Sequence, residues 1–189
     1  MPDRGFWESR WKEGETGWDI GRVSPPIQQY IDTLKDKKIK ILIPGAGNAY
    51  EAKYLINNGF ENVTVVDIAE NLIEKLKKDQ SKSLNLICSD FFDLQEKYDL
   101  IIEQTFFCAL DPNLREDYVT KMHELLHQNG KLVGVLFNRN FDGGPPFGGN
   151  MNEYKELFSK KFDKLKIENC YNSIAERSGS EVWLVAEKK

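Results

Sequence analysis

Two glycines and an aspartate have the spacing of a cofactor site. Residues 41–47 read Ile-Leu-Ile-Pro-Gly-Ala-Gly and precede a helical pattern, so a strand, a glycine turn and a helix N-terminus follow one another. Gly45 and Gly47 let backbone amides approach a ligand closely. Asp67 ends the next apolar run, 20 residues after Gly47, where a carboxylate accepts hydrogen bonds from ribose hydroxyls. We expect Gly45, Gly47, Asp67 and the adjacent Ile68 to contact a cofactor; a simple tight turn is the alternative.

The absence of a third glycine distinguishes two cofactor classes. A dinucleotide site normally completes a GxGxxG pattern, which packs helix and strand tightly beside a pyrophosphate. Here the third position is Tyr50. S-adenosylmethionine has no phosphate and presents an amino acid carboxylate, which suits a relaxed glycine loop. The loop therefore favours S-adenosylmethionine, with S-adenosylhomocysteine as product, and a nicotinamide dehydrogenase is the alternative that it disfavours.

Polar and aromatic side chains follow the next two apolar runs. Asp90 and Phe91 come after Leu-Asn-Leu-Ile-Cys, where a carboxylate could hold the adenine amino group and a ring could cover the base. A turn cap is an equally good interpretation of Asp90. Gln104 ends Tyr-Asp-Leu-Ile-Ile-Glu-Gln and faces the crevice outside the carboxyl edge of the predicted sheet. We expect Asp90, Phe91 and Gln104 to complete the cofactor site.

One short motif points to different chemistry. His123 and His127 frame an HExxH sequence on a predicted helix, a pattern typical of zinc peptidases. They are the chain's two histidines, and their helix lies inside an alternation of strands and helices. We therefore predict no metal site.

Apolar runs alternate with helical patterns from Ile39 to the C-terminus. Such alternation is the signature of βαβ units on a parallel sheet. We predict a single α/β domain over residues 1–189, a Rossmann-like doubly wound three-layer sandwich. Its seven-stranded sheet should be mainly parallel, with one antiparallel C-terminal strand. A helix is expected from Asn113 to His127, ending before a turn at Asn129-Gly130.

Two segments lie outside this alternation. Residues 1–24 contain three of the four tryptophans and lack a clean helical or strand period, so they are predicted to be an arm or lid over the cofactor. The 4- and 7-residue spacings of these tryptophans fit one helical face, and ordinary packing is the alternative to a cofactor role. Residues 138–150, rich in glycine and proline, are predicted to form a substrate loop, with Phe147 and Phe106 lining an apolar pocket.

Composition excludes several classes of partner. The formal net charge is −4 and the basic residues are dispersed, so no nucleic-acid surface is indicated. No run approaches the roughly 20 apolar residues of a membrane-spanning helix, and no secretory leader is visible. Three widely spaced cysteines suit reduced thiols. We expect a cytoplasmic protein, a monomer or weak homodimer, that acts on a small-molecule acceptor.

Four separated motifs together match a known family over nearly the whole chain. They are the pattern W-x3-W-x2-G-x-T-G-W-D from Trp7, the PGAG loop from Pro44, FFCA from Phe106 and GPPF from Gly144. In them the chain resembles the thiopurine S-methyltransferase family of class I S-adenosylmethionine-dependent methyltransferases. The FFCALDP and TGWDIGR stretches look closest to its branch that methylates thiols and halide ions.

The resemblance implies roles for residues in both halves of the site. Trp7, Trp11 and Trp18 would enclose the cofactor, and Phe107 of the FFCA motif would lie at the acceptor. Arg177 matches a basic position and would attract an anionic acceptor; a solvated surface arginine is the alternative. Gln104 stands where the thiol and halide branch has an aromatic residue.

The predicted reaction requires no catalytic side chain. In methyl transfer from a sulfonium the cofactor carries the activation, and the protein contributes positioning and exclusion of water. A soft acceptor, such as a thiol, hydrosulfide, halide or thiopurine sulfur, needs little or no base at neutral pH. The alternatives are a methyltransferase for another small molecule and a non-catalytic module that binds S-adenosylmethionine.

Overall fold

The computed structural model describes residues 2–45, 47–79 and 84–189, with the side chain of Asp79 excepted. Seven strands form one sheet in the order β3-β2-β1-β4-β5-β7-β6. Their bounds are β1 Lys40–Pro44, β2 Asn62–Asp67, β3 Leu84–Cys88, β4 Tyr98–Gln104, β5 Leu126–Phe137, β6 Lys164–Asn169 and β7 Glu181–Glu187. The helices are α1 Arg4–Glu13, α2 Pro25–Thr33, α3 Tyr50–Asn57, α4 Glu70–Asp79, α5 Arg115–Glu124 and α6 Met151–Ser159.

The pairing of the strands confirms the predicted fold class. The β1 strand pairs in parallel with β2 and β4, and the parallel pairing continues from β2 to β3 and from β4 to β5. The β7 strand runs antiparallel to both β5 and β6. Strand order reverses between β1 and β4, and ligands of open α/β sheets bind in the crevice at that point.

Apolar residues on both faces of the sheet give the three layers. In β1, Ile41 and Ile43 belong to one buried cluster with residues of α2, α3 and α4, such as Ile27 and Leu55. Leu42 belongs to the opposite cluster with residues of α5 and α6. A strand buried on both faces reads as a continuous apolar run, which is why β1, β2 and β4 were recognisable in the sequence.

The N-terminal arm is more regular than predicted. Helix α1 begins after Asp3, whose side chain accepts a hydrogen bond from the Phe6 amide at 2.9 Å, and it ends at Gly14 with φ 72°. Trp18 lies beyond the end of α1, so the three tryptophans do not share one helical face. The Asn71 Nδ2 atom donates to the Glu8 carbonyl at 3.0 Å, which ties α1 to α4.

The predicted helix from Asn113 to His127 is wrong at both ends. A 3₁₀ turn over Pro112–Leu114 precedes α5, and α5 ends at Glu124. Leu126 is fully buried and pairs with Tyr98, because burial on the sheet outweighs continued helix. Asn129 has φ 63° inside β5, where the register shifts, in place of the predicted turn.

Candidate functional site

The glycine loop leaves the carboxyl end of β1 in a conformation that favours glycine. Gly45 has φ 69° and its amide donates to the Val66 carbonyl at 2.9 Å. A Cβ atom on Gly45 would lie 2.7 Å from Phe106 Cδ2, so the Phe106 ring rests directly on this backbone. Gly47 has φ 50° and open space beside it. Ala46, the residue between them, lies outside the described residues.

Asp67 lies beside this loop at the carboxyl end of β2. Its Oδ1 accepts from the Ala69 amide at 2.9 Å, which orients the half-buried carboxylate. Ile68, also half-buried, follows it, and the Cys88 thiol approaches the Ile68 carbonyl at 3.9 Å. The first half of the predicted cofactor set therefore shares one edge of the sheet.

Asp90 caps a 3₁₀ turn after β3. Its Oδ1 accepts from the Phe92 amide at 2.9 Å, and the residue is exposed. The cap was the alternative interpretation of this carboxylate, and its contact with adenine stays a prediction. Phe91 is 4% exposed, and its ring meets Phe106 edge-on at 5.2 Å between centroids.

Gln104 supplies a polar atom without a partner at the same edge. Its Oε1 is buried, and within the described part of the chain it accepts no hydrogen bond. A buried acceptor left unpaired costs about 1–3 kcal/mol, so it calls for a donor from a ligand. The unpaired Oε1 of Gln104 and the glycine backbone of Gly45 and Gly47 fit S-adenosylmethionine, whose amino acid moiety and adenine offer donors.

Sequence reasoning missed a buried carboxylate that shapes this edge. Glu103 is fully buried, and its Oε1 accepts from the amides of Phe106 and Phe107 at 2.8 and 3.0 Å. The Tyr118 hydroxyl donates to Oε2 at 2.6 Å. Burial raises the pKa of Glu103. These bonds hold Phe106 against Gly45; a glutamate inside an apolar strand was the available signal.

The arm lies over the glycine loop. The Trp18 ring meets Trp7 and Trp11 edge-on, with centroids 5.7 and 5.8 Å apart. Asp19 Oδ2 accepts from Asn48 Nδ2 and, at 3.2 Å, from the Tyr50 hydroxyl. Tyr50, which replaces the third glycine of a dinucleotide loop, thus anchors the arm to the loop.

A small cavity opens at the carboxyl ends of β4 and β5. Its volume is about 10 Å³, enough for one water-sized molecule. The lining residues are Glu103, Thr105, Phe107, Cys108, Val135, Leu136, Phe137 and Glu181. The Phe147 amide donates to the Cys108 carbonyl at 2.6 Å, which brings the loop of residues 138–150 to this side of the site.

The predicted acceptor residues occupy different surroundings. Phe106 lies on the glycine loop. Phe107 is 1% exposed and packs against Tyr118 and Tyr154 in the core, and it also lines the cavity. Burial raises the pKa of the Cys108 thiol far above its ordinary value, which keeps it neutral. Cys108 is thus a poor nucleophile at neutral pH.

Arg177 joins the arm to the acceptor side. Its Nη2 donates to the Trp18 carbonyl at 2.9 Å, and its Nη1 lies 3.4 Å from Glu181 Oε1. Its guanidinium carbon is 5.2 Å from the centroid of the Phe137 ring. With its side chain only 13% exposed, Arg177 is not the solvated surface arginine that the sequence left open.

The HExxH motif does not assemble as a zinc site. Helix α5 ends at Glu124, so His123 is helical and His127 lies in β5. Over the described ranges 2–45, 47–79 and 84–189, no group of three or more His, Cys, Asp or Glu residues could hold a metal ion.

Comparison with known proteins places this site in a family. The model of the thiopurine S-methyltransferase family matches residues 2–188. The chain belongs to the thiopurine S-methyltransferase family. As a member, it is an S-adenosylmethionine-dependent methyltransferase, which confirms the predicted enzyme class and cofactor.

Similarity to curated relatives covers most of this member of the thiopurine S-methyltransferase family. "Probable thiol methyltransferase 2" of Arabidopsis thaliana is 31% identical over 186 residues, covering 94% of this chain and 82% of the relative. "Thiocyanate methyltransferase 1" of Brassica oleracea is 30% identical, covering 95% and 83%. "Thiopurine S-methyltransferase" of Acinetobacter baylyi is 25% identical, covering 97% and 98%.

Solved structures share the fold at lower identity. The 1,6-didemethyltoxoflavin-N1-methyltransferase of Burkholderia thailandensis, solved with S-adenosylhomocysteine, has a TM-score of 0.76 at 17% identity, covering 98% of this chain and 87% of its own. A TehB-like methyltransferase of Corynebacterium glutamicum has a TM-score of 0.66 at 22% identity, covering 98% and 97%. In the described part of this family member, no helix is long and apolar enough to cross a membrane.

Proposed function

We propose that this enzyme methylates a small soft nucleophile, such as a thiol, hydrosulfide or halide ion. The lining of the cavity beside Thr105 and Cys108 carries this proposal. Apolar and aromatic walls such as Val135 and Phe137 suit a polarisable atom that sheds its hydration readily. The plant relatives named as thiol and thiocyanate methyltransferases support the same choice. A thiopurine sulfur is the larger acceptor that the bacterial relatives suggest.

The residues proposed to act fall into two groups. Those of the cofactor side are Trp7, Trp11, Trp18, Gly45, Gly47, Asp67, Ile68, Asp90, Phe91 and Gln104. Those of the acceptor side are Phe106, Phe107, Phe147 and Arg177. The contact of Phe106 with Gly45 joins the two groups at the reacting centre.

Positioning is the main contribution of the chain to the reaction. Bound S-adenosylmethionine supplies an activated methyl group that passes to the acceptor by in-line displacement. The three tryptophans of the arm provide aromatic surface that attracts a cation, worth about 0.5–2 kcal/mol at each ring. Arg177 ties the arm to the acceptor side, so one closed arrangement excludes water from both halves.

The cellular setting is part of the same proposal. We infer a cytoplasmic monomer or weak homodimer that has no nucleic-acid partner, a choice supported by the net charge of −4 and the dispersed basic residues.

Methyl transfer from labelled S-adenosylmethionine tests the proposal. Hydrosulfide, iodide, an aromatic thiol and a thiopurine are offered in parallel, and volatile product is separated from dissolved product. Volatile product from hydrosulfide or iodide is expected. Dissolved thiopurine product alone would instead support the larger acceptor, and no transfer to any of the four by protein that binds the cofactor would contradict the proposal.

A pair of aspartate variants separates binding at the site from general damage to the fold. Asp67→Ala should abolish cofactor binding and transfer, since Asp67 is proposed to hold the ribose. Asp36→Ala removes a carboxylate that caps a surface turn by accepting from the Lys38 amide at 2.9 Å, and it should leave both unchanged.

A further inference from the structure

Glu181 is a buried carboxylate in the wall of the acceptor cavity. It begins β7, opposite Phe137 of β5, and is 5% exposed. Thr105 and Cys108 line the same cavity from the segment after β4. Buried glutamates are rare unless paired, and the predicted reaction assigned no role to this one.

The charged and titratable groups around Glu181 come from three elements. Arg177, in the 3₁₀ turn before β7, places Nη1 3.4 Å from Oε1 of Glu181. Cys108 is held neutral by burial, which raises the pKa of its thiol. Glu103 of β4 is fully buried, and its carboxylate already accepts three hydrogen bonds. Glu181 accepts fewer hydrogen bonds than Glu103. It is therefore the carboxylate of this cavity that can still accept a proton.

Two opposing effects set the basicity of Glu181. Burial raises the pKa of its carboxyl group, whereas Ser173 and Arg177 act to lower it. The net direction is upward, so Glu181 is a stronger base than an exposed glutamate.

We propose that Glu181 is the general base that takes the proton from a neutral thiol acceptor. This inference rests on the proposed function and adds a catalytic residue to it. The S–H bond of the thiol breaks and its proton passes to a carboxylate oxygen of Glu181. The sulfur electron pair forms the new bond to the methyl group, and the electrons of the broken methyl–sulfonium bond stay on the cofactor sulfur. Glu181 releases its proton to water after the product leaves.

Most thiols are neutral at pH 7, so a base can accelerate their methylation. A thiol of pKa about 8.5 is only a few per cent ionised at pH 7, and a buried cavity lowers that fraction further. Removal of the proton beside Glu181 makes the reactive thiolate at the proposed acceptor site. General base catalysis contributes typically about 10²–10⁴-fold, and the proposal requires an effect in that range.

Two thiols with different acidity test the proposal in the intact enzyme. Glu181→Gln should lower kcat/KM by about 100-fold or more with an aliphatic thiol that is neutral at pH 7. With an aromatic thiol bearing electron-withdrawing groups, already ionised at pH 7, the same variant should lose less than about threefold, because no proton remains to be removed. Glu187→Gln, on the same strand but paired with Lys164 at the surface, should match the wild type with both thiols.

The outcomes distinguish this proposal from the proposed function. An equal loss with both thiols would show that Glu181 only positions Arg177, and no loss with either would exclude a base; each overturns the inference while methyl transfer stands. If the wild type methylated hydrosulfide or iodide but no thiol, the inference would fail while the proposed function stands; transfer to none of these acceptors would overturn both.

The pH dependence of the wild type gives a second test that needs no variant. With the aliphatic thiol, kcat/KM should rise with the ionisation of Glu181 and not with that of the thiol. With the ionised thiol it should stay flat over the same range. A rise that follows the ionisation of the aliphatic thiol itself would overturn the inference.

Discussion

Gly45 combines a backbone constraint with a packing constraint. Its φ of 69° is strained for any other residue, and Phe106 Cδ2 lies where a Cβ atom would project. Both effects act at the point where the backbone is proposed to approach the cofactor.

Gly45→Ala should therefore weaken the cofactor site more than the fold. We expect a loss of about 1–3 kcal/mol in the free energy of unfolding from the left-handed conformation, and at least a tenfold rise in the Kd for S-adenosylhomocysteine because Phe106 is displaced. Urea denaturation and titration calorimetry measure the two effects. Gly59→Ala, with φ 83° and no atom within 4 Å of the new Cβ, should show the stability loss with unchanged affinity. Equal affinities for all three proteins would contradict the role of Phe106.

Glu103 should make stability depend on pH. Its folded pKa is raised by burial, so folding favours its protonated form. The associated stability is complete below the unfolded pKa of about 4.3 and is lost as pH rises through the folded pKa. The amide of the Glu103→Gln variant cannot ionise. The free energy of unfolding of this variant should therefore increase relative to that of the wild type as pH rises from about 4.

Urea denaturation at a series of pH values tests this sign. Glu74→Gln, an exposed substitution on α4, is the control and should run parallel to the wild type. A Glu103→Gln curve that also ran parallel would show that Glu103 carries no such penalty.

At the scale of elements, the N-terminal arm is attached to the sheet from outside. Helix α1 has no fully buried residue, and its tryptophans are half-buried against the apolar cluster that includes residues of α3 and α4. Removal of residues 1–18 should thus leave a folded protein. We expect its affinity for S-adenosylhomocysteine to fall at least tenfold and methyl transfer to be lost. Unchanged affinity and transfer would contradict the lid.

Two ion pairs join α5 to α6 and should differ in strength. Arg115 bonds Glu153 and the Gly148 carbonyl, its guanidinium lies 4.9 Å from the Phe107 centroid, and its side chain is 10% exposed. Lys160 and Glu116 form the second pair, with side chains 51% and 72% exposed.

Arg115→Ala should lower the free energy of unfolding by about 2–3 kcal/mol, because Glu153 and the loop carbonyl lose a largely buried partner. Lys160→Ala should cost less than about 1 kcal/mol, since an exposed pair is screened by water. Chemical denaturation of both variants makes the comparison, and equal losses would show that the loop of residues 138–150 does not depend on Arg115.

At the scale of the whole molecule, cofactor binding should stabilise the folded chain. A ligand at 100 times its Kd adds about 2.7 kcal/mol, which for a domain of this size raises Tm by about 5–10 °C. Thermal denaturation with S-adenosylhomocysteine should show this increase, and NADH at equal concentration should show none. The reverse result would favour the nicotinamide alternative that Tyr50 disfavours.

Local patterns in the sequence of 189 residues predict most of the fold. The predicted runs for β2 and β4 coincide with the observed strands, because central parallel strands are buried on both faces and read as apolar runs. The predicted run for β3 also coincides, although β3 is an edge strand whose residues are half-buried or exposed. The error at the junction of α5 and β5 has a tertiary cause. Leu126 and its neighbours continue the helical pattern, yet Leu126 pairs with Tyr98 on the sheet.

The sequence by itself predicted the cofactor half of the site, whose ligand contacts stay a prediction, and the structure brings the glycine loop and the end of β2 together. The glycine loop and Asp67 are recognisable because each depends on a strand and the turn that directly follows it. The tertiary structure decided the acceptor half, where the partners are far apart in the chain. Arg177 meets the Trp18 carbonyl across 159 residues, and Glu181 enters the cavity only because β7 runs antiparallel beside β5. Long-range pairing of this kind leaves no periodic trace in a single sequence, so the buried carboxylates and their partners emerged only from the packed molecule.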